Sequence, residues 1–212
     1  MEKLDKHFSW SRFYSYRIEV RSRYRTVYDL KIKKKLQDVI VEELKDESRI
    51  LDVGAYDRIL SKKIITKVPS VVYKSMDIDK TLPHDYYSLE QITEAFDMVI
   101  LSEVIEHLEF HEGVSLLEKL FMLLNSGGKI IVSTPNVHHP NRYWWDSNHK
   151  TPYRYDEIAA ALLSVGFGID KVYRIYNDMF LKRVFRIYVA SYLHKYLDVD
   201  FAKSIVVVAT KK

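Results

Sequence analysis

The 212-residue chain contains no cysteine. That removes disulfide bonds, thiolate nucleophiles and cysteine-ligated zinc. Glycine and proline are scarce, at 6 and 5 residues. No flexible linker, low-complexity tract or internal repeat is legible, so the chain reads as one compact unit. No stretch approaches the roughly 18 consecutive apolar residues that read as a membrane span. Met1 to Val20 is polar and aromatic, without an apolar signal core, and the expected location is the cytoplasm. Also missing is a G-x-G-x-x-G run, the usual cradle for a dinucleotide pyrophosphate.

What is present supports a folded α/β domain. Apolar residues make up 47% of the chain, enough for a packed core. The net charge of +4 is unevenly spread. Residues 1–35 carry 11 Lys/Arg against 4 Asp/Glu, residues 36–170 carry 13 against 22, and residues 171–212 carry 9 against 3. Basic ends around an acidic middle suit either an anionic partner or Lys/Arg-rich solvated helix faces.

Residues 1–29 form a basic, aromatic lead-in, and residues 30–212 are expected to form a single domain. Within it, apolar spacing predicts a helix over 30–46, a strand at Arg49–Val53, a helix at Asp57–Thr66 and a strand at Val71–Met76. Leu82–Gln91 is weakly patterned. A strand at Asp97–Leu101 precedes a helical stretch, Val104–Leu124, broken near Gly113. Then come strand Lys129–Ser133, helix Tyr155–Val165 closed by Gly166, strand Phe167–Ile175, an amphipathic helix Asp178–Leu197 and strand Ala202–Thr210. This alternation predicts a Rossmann-like, doubly wound, mostly parallel seven-stranded sheet with an antiparallel edge strand and helices on both faces.

Such sheets bind ligands at the carboxyl ends of their strands. Three acids fall there: Asp52 after the first strand of the domain, Asp77 after the second, and Glu103 after Phe96–Leu101. An acid at the tip of the second strand suits a ribose diol. Gly54 permits close backbone approach. An acidic first loop favours a cationic ligand over a pyrophosphate.

These segments together resemble a class I S-adenosylmethionine-dependent methyltransferase of the ubiquinone-biosynthesis-like (type 11/23) branch. The matching stretches are Ile50 to Gly54, Met76 to Asp79, Phe96 to Leu108, Leu123 to Asn136, and the closing elements around Gly166-Phe167 and Ile205–Lys211. The resemblance covers about residues 35–212 and implies the cofactor S-adenosylmethionine. It implies that Asp52 and Gly54 line its methionine end, with Ala55 and Tyr56 also binding the cofactor. Asp77 would take the ribose hydroxyls, with Ile78 against the adenine and Asp85 near the adenine amino group. Leu101, Ser102 and Glu103 would form the wall by the sulfonium. The family's first loop usually reads G-x-G-x-G, whereas here Tyr56 and Arg58 replace two glycines. Either the loop takes a wider path or cofactor binding is weakened.

His149 is the expected general base for an oxygen or nitrogen nucleophile. It lies in a segment, 136–154, that also holds His138, His139, Tyr143, Trp144 and Trp145, an aromatic set suited to a substrate wall. The expected acceptor is a small or medium molecule. Glu103, Glu106 and His107 share a helix face, and with His149 they resemble the metal site of small-RNA 3′-terminal 2′-O-methyltransferases. The same pattern occurs in metal-free members of the fold, and no metal ligand is assigned. RNA methylation with metal assistance, and a non-catalytic binding module with a degenerate loop, are the alternative readings. The 178–197 helix, with a broad apolar face beside Lys182, Arg183 and Arg186, is expected to pack on the sheet or form a homodimer. Contact with a membrane surface or a lipid-like substrate is the other option.

Overall fold

The structure is a computed structural model that describes residues 9–212, so the first eight residues of the lead-in lie outside it. Seven strands make one sheet: β1 (Lys31–Lys33), β2 (Arg49–Val53), β3 (Val72–Met76), β4 (Phe96–Ser102), β5 (Leu124–Pro135), β6 (Phe167–Ile175) and β7 (Ser204–Lys211). Their spatial order is β1-β6-β7-β5-β4-β2-β3, and only the pairings of β7 are antiparallel. The doubly wound α/β sheet is therefore as expected. The antiparallel strand, however, sits inside the sheet between β5 and β6 rather than at its edge.

Apolar residues along the central strands alternate between two cores. Leu51, Val99, Leu101, Ile130, Val132 and Val207 face one side, against α4 (Phe110–Leu123) and α5 (Tyr155–Val165). Ile50, Met98, Ile100, Ile131, Val206 and Val208 face the other, against α2 (Leu36–Glu43) and α3 (Ile59–Lys67). Burial on both faces explains why these strands read as continuous apolar runs in the sequence.

Several boundaries differ from expectation. The helix expected over 30–46 begins at Leu36, and Lys31-Ile32-Lys33 instead pairs with the outer edge of β6. The weakly patterned 82–91 segment touches β3 only through a parallel bridge between Met76 and Tyr86. The break expected at Gly113 falls earlier, after a short turn at Ile105–His107, and α4 runs through Gly113. Gly113 is there for space, because a Cβ would stand 2.7 Å from the Tyr153 hydroxyl.

The lead-in contains a helix, α1 (Trp10–Arg23), which docks on α5. Phe13 and Val20 enter the core. Arg17 and Arg21 both reach the buried Asp156, at 3.0 and 2.9 Å. The 178–197 region is not one regular helix: α6 (Phe180–Val184) and α7 (Ser191–Tyr196) flank a π-helical turn at Phe185–Val189. It does not bury its apolar residues on the sheet, since Leu181, Phe185, Tyr188, Tyr192 and Tyr196 are all exposed. Among the described residues, no helix is long and apolar enough to cross a membrane.

Candidate active site

The carboxyl ends of β2, β3 and β4 open into a cleft of about 740 Å³. Gly54, Asp77, Ile78, Glu103 and Val104 line it, with Ser88 and Leu89 from the loop after β3 and His107 from the turn after β4.

The first loop is built from backbone. The Gly54 and Ala55 amides both donate to the Met76 carbonyl, at 2.9 and 3.2 Å, which staples the loop to β3. Gly54 has φ +74°, and a Cβ there would lie 2.3 Å from Val104 Cγ2. Glycine is thus required twice, by conformation and by the valine packed over it. Tyr56 and Arg58 also take left-handed conformations, at φ 40° and 57°, where glycine would be free of strain. Their side chains leave the cleft. Tyr56 is exposed, and Arg58 turns toward the Pro83 carbonyl and Asp85. The loop therefore keeps its turn, and neither side chain blocks the ligand space.

Asp77 stands at the tip of β3 in the cleft wall. One carboxylate oxygen accepts the Tyr56 amide at 2.8 Å and the other accepts the Asp79 amide at 3.0 Å. These bonds fix the group and leave each oxygen a lone pair for a diol. Ile78 beside it is 81% exposed, an apolar surface in the cleft wall.

Other expected residues sit elsewhere. Asp52 is buried on the α2/α3 side and accepts the Tyr73 hydroxyl; it does not line the cleft. Burial pushes its carboxyl up to about 6, against the opposing pull of Tyr73. Asp85 is committed to the Ser75 amide and hydroxyl, at 2.9 and 3.0 Å, and to Lys74, which together hold it below the usual carboxylate range despite burial. It ties the 84–87 segment to β3 rather than facing the ligand space. Leu101 is fully buried in the core. Ser102 faces Ser133 at 3.1 Å, in a second cavity that shares Glu103 with the first.

Glu103 accepts from Ser133 at 3.1 Å and pairs with Arg142 at 3.3 Å. Burial raises its pKa, with Arg142 opposing. Glu106, one turn on, is fully buried, and neither carboxylate oxygen has a hydrogen-bond partner. Burial, reinforced by the charge of Glu103, pushes it up to about 9. The Glu106 carbonyl accepts the Lys150 and Thr151 amides, at 2.8 and 3.1 Å, and so draws the preceding residue, His149, against this turn.

His107 lines the cleft, and the His149 ring meets it edge-on at 4.8 Å between centroids. His149 Nδ1 lies 2.6 Å from the Tyr143 carbonyl. A carbonyl can only accept, so Nδ1 carries the hydrogen and Nε2 is the free acceptor. Glu106, His107 and His149 each place a ligand-type atom within 4.8 Å of the others. Of the neighbouring aromatics, Tyr143 is buried, whereas Trp144 and Trp145 are exposed. Burial lowers both His138 and His139.

Sequence reasoning missed Ser88, Leu89 and Val104 as cleft residues. A signal existed for the first two: Ser88 and Gln91 form a capping box, the S-x-x-Q spacing that starts a helical turn.

A methyltransferase-domain family model matches residues 23–172. No curated protein matches the chain. Among solved structures, an S-adenosylmethionine-dependent methyltransferase from Archaeoglobus fulgidus is 16% identical with a TM-score of 0.66, covering 92% of this chain and 94% of its own. One from Methanosarcina mazei is 12% identical, with a TM-score of 0.55 and coverage of 82% and 96%. The [4+2]-cyclase SpnF is 15% identical, with a TM-score of 0.59 and coverage of 83% and 79%. At these identities the solved structures speak for the fold, while the family match, spanning most of the chain, speaks for descent. The chain belongs to the methyltransferase-domain family, class I enzymes whose methyl donor is S-adenosylmethionine.

Proposed function

We propose that the chain methylates an oxygen or nitrogen of a small or medium acceptor admitted beside the 136–154 segment, with His149 as the base. The observation that carries this reading is His107 in the cleft wall with the His149 ring packed edge-on behind it, 4.8 Å away and anchored through Nδ1 on the Tyr143 carbonyl; His149 itself does not line the cleft.

The residues present fit the cofactor. Asp77 would hold the ribose diol and Ile78 the adenine face, with Ser88 and Leu89 completing that wall. The Gly54 turn would admit the methionine end. When bound, S-adenosylmethionine supplies an activated methyl group on a sulfonium. The protein's share is then positioning and proton removal. His149 Nε2 would take the proton of the acceptor that receives the methyl group. Glu103 offers negative charge to a cation in the cleft, and its Arg142 partner keeps that carboxylate placed.

Calorimetric titration with S-adenosylhomocysteine tests the cofactor half. Saturable binding that Asp77→Ala weakens by roughly tenfold or more supports it, since a charged hydrogen bond contributes about 1.5–3 kcal/mol. No binding at millimolar ligand overturns it. His149→Ala should leave that affinity intact while abolishing methyl transfer.

One observation favours a second reading. The unpartnered, fully buried Glu106 carboxylate beside two imidazoles is a donor set suited to a divalent cation. A cation held by Glu106, His107 and His149 would lower the pKa of an acceptor hydroxyl, as a terminal ribose diol of RNA would require. Activity on short RNA that needs manganese and is lost on an oxidised 3′ end would support this. Activity indifferent to both removes it.

A further inference from the structure

The segment from Met179 to Leu197 is amphipathic with its faces reversed. Its inner side mixes polar groups with the half-buried Val184 and Ile187. Arg186 bonds Asp178 at 2.8 Å and lies 4.3 Å over the Phe201 ring. His194 is buried against the same ring at 4.9 Å, and its carbonyl accepts the Tyr28 hydroxyl at 2.9 Å. Its outer side is apolar. Leu181, Phe185, Tyr188, Tyr192 and Tyr196 recur at helical spacing and are 80, 57, 74, 84 and 85% exposed. A face of this size left to water is uncommon and marks an interaction surface.

Charge says what covers it. Met179 to Leu197 contains Lys182, Arg183, Arg186 and Lys195 and no Asp or Glu. Lys182 and Lys195 are exposed beside the apolar row. A second copy laid on this face would add the same cations, with only Asp198 just past the segment as an exposed carboxylate to offset them. An anionic bilayer surface meets both requirements: its acyl boundary accepts the apolar row, and its headgroups accept the lysines. The tyrosines suit it further, because phenol rings settle at the headgroup level. The exposed Trp145 is linked to the segment through His139, which packs on Trp145 at 6.1 Å and at 5.3 Å on Phe201, the ring that Arg186 and His194 cover.

We infer that residues 179–197 form an interfacial membrane-docking element selective for anionic lipid. It lies on the bilayer without crossing it and places the 136–154 segment at the lipid boundary.

Vesicle flotation of the full chain tests this, with phosphatidylcholine alone and with about one quarter phosphatidylglycerol. Binding to the anionic vesicles, at least about fivefold weaker on the neutral ones, is expected. The triple variant Leu181→Glu, Tyr188→Glu, Tyr192→Glu should reduce binding by more than roughly tenfold. Lys182→Glu with Lys195→Glu should remove the preference for anionic lipid. All these positions are exposed, and circular dichroism and S-adenosylhomocysteine titration on the same variants confirm that the domain is intact. That titration also separates this inference from the catalytic reading, since each can fail alone. Absence of vesicle binding overturns the inference. So does binding that the substitutions leave unchanged, or a dimer in sedimentation velocity that the triple variant dissociates.

Discussion

Gly54 and Val104 are the pair of residues on which the first loop turns. The glycine holds φ +74°, and the valine methyl fills the space a Cβ would need. Gly54→Ala should cost about 2–4 kcal/mol of stability, from left-handed strain plus overpacking. Combined with Val104→Ala, part of that cost should return, a coupling of about 1 kcal/mol measurable by urea denaturation of the four-member cycle. Asp52 makes a prediction of opposite character. Its folded pKa of about 6 exceeds the ordinary carboxylate value of 3.8. Between those values the folded chain holds a proton that the unfolded chain has released, so stability falls as pH rises from about 4 to about 6 and then levels off. Asp52→Asn should flatten that part of the curve, and an unchanged slope would refute the assignment. The acidic residues at strand tips were legible in the sequence, since strand ends could be read. Which way each side chain pointed was not. Asp52 follows Leu51 in the alternation and so faces the α2/α3 layer, and Tyr73, distant in sequence, claims it.

Among the elements, the lead-in helix shows what periodicity fails to reveal. Trp10–Arg23 mixes aromatic and basic residues all round, so no clean apolar stripe announces a helix. Its order comes from α5, through Asp156, which accepts a hydrogen bond from Arg17 and ion-pairs with Arg21 while itself excluded from solvent. Asp156→Ala should lower global stability by about 2–3 kcal/mol, because it takes the buried counter-charge from Arg21 and Arg154 and leaves Arg17 with Glu157 alone. Amide hydrogen exchange should show α1 losing protection ahead of the sheet; equal loss throughout would mean that α1 is not held mainly by this carboxylate. Strand β1 was hidden for a related reason. Lys31-Ile32-Lys33 is too short to show alternation, and Ile32 also fits the helical spacing that follows it. Helix α5, by contrast, was legible to the residue, because Gly166 ends it in the left-handed conformation that glycine favours.

At the scale of the molecule, the central strands could be recognised from sequence because both their faces are buried. The acceptor side could not, since the 136–154 segment is held by contacts with distant parts of the chain. One network stands out. Asp200, fully buried, accepts Asn136 at 2.8 Å and Arg174 at 3.0 Å and also takes the Tyr176 hydroxyl. It joins the end of β6, the exit of β5 and the approach to β7. Asp200→Asn should cost about 3–5 kcal/mol by leaving Arg174 without its counter-charge. Hydrogen exchange should then rise together in the 136–150 segment and around 174–176. A rise confined to one of them would show that the network is not shared.

The position of β7 has a consequence for the order in which the fold can be assembled. Strands β5 and β6 never touch; Ser204–Lys211 lies between them and pairs with both. While the ribosome is still making the chain, the β3-β2-β4-β5 half and the β6-β1 half therefore remain two separate sheets with open edges. Only when those eight residues emerge can the halves close, as a keystone closes an arch. Until then β5 and β6 each present an unpaired edge to other chains. Nascent chains halted before Ser204 should accordingly aggregate, or be held by chaperones, rather than rest as a stable partial domain.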